Sequence, residues 1–395
     1  MQEDLTLQKT LTHSKITDMN KPSCYAPWIT TYEVSNGDIV PCCEFDFNKP
    51  IIATTEHVSL DDRFNHPNMV NLKNHLLTSD VLPSSCEGCQ KEEDAGLRSM
   101  RNEFGRIVER SDTYKFNPDE YKLLWLDYRE SNLCNFSCKM CGSELSSTHA
   151  KIEGKFGKTG ILKNPHKLQM YLDKLDDVEL IQFLGGEPTL TDSLYIILKE
   201  IRNRNLQHNM KVGIVTNGSL LHRHEDNLLE LFEGFREVDL AISLDVIGEH
   251  HNYWRQKNTW KVVEENIDKI YKWQQSHSNI ATNTRTALSW PTAYASRAVF
   301  DMFKDIDVNQ KWNLVTRPLG LSIVQLSTEE LDKLAEYWKD YPDVQYVFAN
   351  TISDQSIREL VERKIAIRRH DKWHGNSFVD AFPEFKDFYN KIIVQ

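Results

Sequence analysis

Several features are absent from these 395 residues. No apolar run approaches the roughly 18 residues that a membrane helix needs. The start, Met1-Gln2-Glu3-Asp4, is acidic and polar and does not read as a signal peptide. Positive charge is in short supply: 47 Lys and Arg stand against 58 Asp and Glu, a formal net charge of −11. A general nucleic-acid binder would carry a basic stripe, so nucleic acid is not an expected partner. No internal repeat or low-complexity tract is visible, which sets aside a repeat array. No cysteine follows Cys141, whereas a disulfide-stapled secreted protein would spread its cysteines and be short. With 40% hydrophobic and 10% aromatic residues the chain is globular. The expectation is a soluble, cytoplasmic protein of two or three domains, with no membrane partner.

The cysteines that are present carry the first positive signal. There are eight: Cys24, Cys42, Cys43, Cys86 and Cys89, then Cys134, Cys138 and Cys141. Clustered thiols in a cytosolic chain point to metal binding or redox chemistry.

Along the chain, residues 1–20 read as a polar tail. Thr31–Val34 and Asp38–Val40 flank Ser35-Asn36-Gly37, a hairpin signal. Met69, Val70, Leu72, Leu76 and Leu77 predict a helix over 68–79. Residues 110–120 read as a linker. From about residue 121, strand-like runs at 123–128, 178–184, 210–216, 238–244, 280–288 and 311–316 alternate with helical patterns, including 192–203, 224–234, 259–275 and 295–304. Strand alternating with helix implies parallel βα units, and six of them imply a partial barrel. Residues 327–340, 354–365 and 379–393 read as helices.

The first of these strands runs into Cys134-Asn135-Phe136-Ser137-Cys138-Lys139-Met140-Cys141. Three thiolates this close can each take one iron of a [4Fe–4S] cube and leave the fourth iron open, as a catalytic metal site requires. The same thiols could instead belong to a structural zinc site, since Cys138-Lys139-Met140-Cys141 alone has the spacing of half of one. The second strand ends in Gly185-Gly186-Glu187-Pro188, the third in Thr216-Asn217-Gly218, and the fourth in Ser243-Leu244-Asp245, with Arg255 ten residues on. Each motif lies at the C-terminal end of an expected parallel strand, the edge where βα barrels build their active sites.

This series resembles the radical S-adenosylmethionine (SAM) enzymes, whose hallmark is C-x3-C-x-aromatic-C; Met140 stands where the aromatic is usual. The resemblance implies that Cys134, Cys138 and Cys141 are catalytic and hold a SAM-binding [4Fe–4S] cluster. It implies SAM contacts at Met140 and Asn217, at Gly185, Gly186 and Glu187 for the amino group, at Ser243 and Asp245 for the ribose, and at Arg255 for the carboxylate. It further implies reductive cleavage of SAM to a 5′-deoxyadenosyl radical that takes hydrogen from an unactivated C–H bond. The one-electron donor would be external, of flavodoxin or ferredoxin type.

Cys24, Cys42, Cys86 and Cys89 are enough to ligate a second cubane completely. Cys43 could replace Cys42, but the G-x4-C count from Gly37 selects Cys42. The set resembles the auxiliary-cluster modules called SPASM and twitch, here preceding the barrel where those modules follow it. That implies an auxiliary [4Fe–4S] cluster suited to electron transfer; a four-cysteine zinc site has the same ligands. The fold expected is therefore α/β. It has a tail at 1–20, an iron–sulfur module at 21–115, a partial (β/α)6 TIM-like barrel at 116–320 and a helical extension at 321–395. The substrate class stays open between small molecule, sugar or nucleotide, and peptide. The alternative is a non-catalytic metal-binding or redox-sensing protein that kept the fold.

Other residues have two readings each. Residues 361–370 gather Arg363, Lys364, Arg368, Arg369 and His370, as a patch for an anionic partner or as a solvated helix face. Trp373 and Phe378 read as core. Asn283 and Arg285 point into the barrel or enter a structural salt bridge, and Trp290-Pro291 is expected at the mouth.

Overall fold

A computed structural model describes residues 21–34, 36–54, 57–94, 98–155, 166–306, 308–315, 318–353, 367–368, 371–372 and 374–383. The expected tail at 1–20 lies outside the described residues. So do the expected helix at 354–365, Arg363, Lys364, Arg369, His370 and Trp373, and most of the expected helix at 379–393. Arg368 is exposed.

The N-terminal hairpin forms, Tyr32–Glu33 pairing antiparallel with Ile39–Val40. It is followed by helices α1 (Pro67–Thr78), α2 (Glu87–Asp94) and α3 (Met100–Arg110). Ser99 caps α3 with a reciprocal Asn102 bond, fixing where the helix starts. Trp28, Ile29, Ile39, Val40, Phe64, Leu72 and Phe104 form a core of their own. The expected linker is not free chain. Tyr114 is buried, and Thr113 Oγ1 donates to Glu179 Oε1 at 2.9 Å.

The six apolar runs form one parallel sheet: β1 (Trp125–Arg129), β2 (Leu180–Leu184), β3 (Lys211–Thr216), β4 (Glu237–Ser243), β5 (Ile280–Leu288) and β6 (Asn309–Leu314). Their spatial order is their chain order. β1 and β6 remain as edges, so this is an open partial barrel. Period-two alternation divides the two faces. Leu126, Tyr128, Ile181, Phe183, Val212, Ile214, Leu240 and Ile242 are buried in the core that also takes in the helices. Those helices, in chain order, include α4 (Ser147–Ile152), α5 (Asp192–Asn203), α6 (Gly248–Trp254), α7 (Trp260–Gln274) and α8 (Arg297–Phe303). In α5, Leu194, Ile197, Leu198 and Ile201 recur at helical spacing and supply that apolar stripe. Each such side chain contributes about 1.5–3 kcal/mol on burial. The opposite, concave face is polar, with Asp127, Arg129, Gln182, Lys211, Asp239 and Arg285 in its inward positions.

Two expectations are corrected. The helix read at 224–234 is only Leu228–Leu231, because His222–Arg223 and Asp226–Asn227 pair as a short antiparallel ribbon before it. Trp290 is not at the mouth. It is buried, with Nε1 donating to Gly320 O at 2.8 Å, and packs edge-on against buried Phe378. Helices α9 (Thr328–Tyr337) and α10 (Pro342–Asn350) follow the sheet. No described helix is long and apolar enough to cross a membrane.

Candidate functional site

Cys134, Cys138 and Cys141 lie on the loop after β1 and line one cavity of about 330 Å³. Arg129, Leu184, Val215, Thr216, Ser243 and Ala287 line it too, each the last or next-to-last residue of its strand among β1 to β5. Side chains at the start of α4 grip the loop. Thr148 Oγ1 donates to Cys134 O at 2.6 Å and Ser146 Oγ to Phe136 O at 2.8 Å. His149 Nε2 lies 2.6 Å from Cys138 O. Ser137–Cys138 also pairs antiparallel with Arg255–Gln256, which sets Arg255 directly beside Cys138.

The Gly185-Gly186-Glu187 turn packs against the start of the cysteine loop. Gly186 N donates to Ser131 O at 3.2 Å and Glu187 N to Leu133 O at 2.7 Å. Gly185 has φ +131°, and a Cβ on Gly186 would fall 2.3 Å from Leu133 O. Glycine is required here because two backbones touch. The Glu187 carboxylate is buried and saturated by protein donors. Oε1 accepts from Thr189 N, Thr189 Oγ1 and Thr216 Oγ1 at 3.2, 2.7 and 2.7 Å, and Oε2 from Asn217 N at 2.7 Å. Burial raises its pKa, and those donors oppose the rise. Its carboxylate is thus a strut between the ends of β2 and β3, on the cavity wall.

Met140, Asn217, Ser243 and Arg255 line the same cavity, as do Gly185, Gly186 and Glu187. The Asn217 side chain donates to Asn135 Oδ1 at 2.9 Å, tying the end of β3 to the cysteine loop. Asp245 is the exception among the residues read from sequence. It is fully buried behind Arg255, accepting from Arg255 Nε at 2.8 Å and from Ala287 N at 2.8 Å, and does not line the cavity. The Asp245 charge helps to hold the Arg255 pKa above its ordinary value despite burial, and the Cys138 and Cys141 thiols act in the same direction.

Burial pushes the thiols up, Cys134 to about 12 and Cys141 to about 11, with Cys138 also well above its ordinary value. A cationic metal is what would discharge such protons. The three thiols stand around the cavity rather than on one point. Among the described residues, no three His, Cys, Asp or Glu gather closely enough to hold a single ion. A cube that takes one thiolate per iron fits that spread, with Arg255 nearby to offset anionic charge.

Four thiols in the N-terminal unit also fall within electrostatic reach. Cys24, raised by burial to about 12, feels Cys86 and Cys89, and Cys42 feels Cys24 and Cys86. Cys86 ends a short 3₁₀ turn and Cys89 sits in the first turn of α2. Burial also raises Cys43, to about 12, and the charges acting on it include Asp127, Glu44 and Arg129, while Cys42 feels Cys43 as well.

One participant had no sequence signal. Lys139, inside the cysteine loop, is fully buried, with Nζ 3.4 Å from Asp371 Oδ1 and 3.4 Å from Asn376 Oδ1, over the Tyr253 ring. Its partners lie more than 230 positions away.

Residues 130–281 match the family model described as the radical SAM superfamily. Among solved structures, the chain is similar to native anSMEcpe with bound AdoMet at 19% identity, covering 61% of this chain and 66% of that one, TM-score 0.39. It is similar to Streptococcus suis SuiB bound to S-adenosylmethionine at 16% identity, covering 69% and 62%, TM-score 0.40. TYW1 with a lysine-pyruvate adduct bound is similar at 18% identity, covering 56% and 72%, TM-score 0.30. The chain thus spans slightly less than two thirds of anSMEcpe and SuiB. No curated protein matches it.

Proposed function

We propose, from the match of residues 130–281 to the radical SAM family model and the cavity they line, that this cavity is where the chain cleaves SAM. Cys134, Cys138 and Cys141 hold a [4Fe–4S] cluster in this reading, each ligating one iron. Cluster and SAM, when bound, supply a 5′-deoxyadenosyl radical for hydrogen abstraction. The chain's own residues bind, orient and exclude. Arg255, its Nε fixed by Asp245, is positioned to meet the SAM carboxylate. The Gly185–Glu187 turn offers backbone carbonyls and a buried negative charge to the amino group, and Ser243 and Asn217 face the nucleoside. Met140, Phe136, Leu184 and Val215 make the wall that keeps water and stray hydrogen donors from a reactive species.

Cys24, Cys42, Cys86 and Cys89 hold a second [4Fe–4S] cluster in the module over 21–115. Full thiolate ligation suits electron transfer rather than substrate ligation. The barrel runs over 116–320 and the extension over 321–395. The electron enters from an external flavodoxin- or ferredoxin-like donor in the cytoplasm. The observation that carries this reading is the convergence of three thiols, the Gly-Gly-Glu turn and Arg255 on one cavity at the C-terminal sheet edge. The test is 5′-deoxyadenosine formation by anaerobically reconstituted protein given SAM and a strong reductant. Product from the wild type and none from the Cys134→Ala/Cys138→Ala/Cys141→Ala variant is expected. Product from that variant would refute the assignment.

A further inference from the structure

Among the described residues, the concave face of the sheet has one cation with no counter-ion. Inward positions follow from the strand ends: Ala287 and Ser243 line the cavity, so Arg285, two residues before Ala287, shares their face. Arg285 is also in register with Ser243 on one side and Lys311 on the other. Every other charged side chain of this face is paired among the described residues. Asp127 meets Arg129 at 3.0 Å, Lys211 meets Glu237, and Asp239 meets Lys311 at 3.7 Å. Among the described residues Arg285 makes no hydrogen bond or ion pair, although its Nε is buried. Beside it, buried Asn283 donates to Asp239 while its own Oδ1 has no partner. The inward charges are Asp127, Glu237 and Asp239 against Arg129, Lys211, Arg285 and Lys311, one positive charge in excess on a chain of net −11.

A half-buried guanidinium without a partner is expensive, since folding removes water from it and returns nothing. Residues that lower stability in this way are characteristic of ligand sites. A planar guanidinium matches a planar carboxylate through two parallel hydrogen bonds, and a single excess charge balances a monoanion rather than a phosphate dianion.

We propose that Arg285, flanked by Asn283 and Lys311 on the concave face, binds a carboxylate of the substrate at the floor of the cavity, level with Ser243 and one residue row below Ala287. This rests on the reading of that cavity as the SAM site, which leaves the concave face as the substrate chamber. The Arg285 anchor would hold the substrate by one end, so that a C–H bond further along it reaches the cavity.

The test uses full-length reconstituted protein with SAM present. Calorimetry would compare N-acetylated amino acids, their C-terminal amides and inorganic phosphate as probes. Acids are expected to bind and amides to bind at least tenfold more weakly. Arg285→Gln is expected to lower acid affinity by roughly 10- to 100-fold, the range of a charged hydrogen bond, with Arg285→Lys in between. Arg285→Leu should melt at or above the wild-type temperature, because it removes an unpaired, half-buried charge. Acid binding that ignores the Arg285→Gln change, equal binding of acids and amides, phosphate preferred over acids, or a lower melting temperature in Arg285→Leu would each overturn the proposal. Arg285-dependent acid binding without any 5′-deoxyadenosine would sink the radical reading and leave this site standing. SAM cleavage without acid binding would do the reverse.

Discussion

Replacing Asp371 by Asn should loosen the cysteine loop from a position 232 residues away in sequence. The Asp371 carboxylate serves three groups: Lys139 Nζ at 3.4 Å, Tyr253 Oη at 2.6 Å and Phe378 N at 2.9 Å. An amide of the same shape keeps the volume but loses the charge, and its NH2 must face one of those donors. Removing one partner of a buried ion pair costs about 3–5 kcal/mol. Here Asp371 is 17% exposed, and the Asn376 amide and the Tyr253 ring still face the ammonium. The expected loss is therefore about 2–3 kcal/mol, which is roughly a 30- to 150-fold shift in a local opening equilibrium. Hydrogen exchange in the metal-free protein reads this directly. The Lys139 amide, bonded to Trp254 O at 3.0 Å, and the Cys141 amide, bonded to Cys138 O at 2.9 Å, should exchange faster by that factor. Adding Lys139→Met to Asp371→Asn should recover most of the protection, since no buried charge is then left unpaired. Exchange unchanged in Asp371→Asn, or a double variant no slower than the single one, would refute the idea that this ion pair holds the loop.

Three more outcomes are expected. Gly186→Ala should displace the cysteine loop, because the new methyl would fall 2.3 Å from Leu133 O and 2.6 Å from Asn132 O; reconstituted iron per chain should drop sharply, and full iron loading would contradict the close-contact argument. Cys42→Ser should lose the proposed auxiliary iron while Cys43→Ser keeps it, since the buried Cys42 feels Cys24 and Cys86; iron counts and electron paramagnetic resonance distinguish the two. Burial of Lys73 over the Phe64 ring lowers its pKa to about 8 from an ordinary 10.5, so the unfolded chain binds more protons between those values. The Lys73 contribution to stability therefore rises with pH across that window against the opposing titration of the buried thiols, so the stability of the wild type minus that of Lys73→Met, measured in denaturant, should increase from pH 8 to 10.5; a constant difference would refute it.

How much of this was legible in the sequence depended on how local the signal was. The six strands lie within two residues of the apolar runs that predicted them, because a parallel strand buried by helices keeps a short apolar stretch. The cysteine spacing and the Gly-Gly-Glu turn are local too, and they stand together at the cavity. Partners joined only by the fold had no such trace. Asp245, read as a ligand contact, proves to be the buried counter-ion of Arg255. Glu187 keeps its carboxylate for Thr189, Thr216 and Asn217. The 224–234 stretch has helical apolar spacing, yet the His222–Asn227 ribbon takes its first turn. Lys139 resembles any loop lysine until Asp371 comes to it from the far end of the chain.

The join between the N-terminal unit and the sheet has a consequence for how the chain could be divided. Lys122 N donates to Trp28 O at 3.0 Å and Leu124 N to Ile29 O at 3.0 Å, just ahead of the edge strand β1. Leu124 belongs to the N-terminal core, while its neighbours Leu123 and Leu126 belong to the core of the sheet. Trp125 packs edge-on against Phe104 of α3. The N-terminal unit therefore covers a flank that would otherwise offer unpaired backbone and aliphatic side chains to another molecule. Cut away at residue 115, the sheet would keep its strands but gain a sticky border. The cysteine-bearing unit is thus part of the packing of the sheet's β1 flank, and removing it would expose Leu124 and the backbone of 122–124.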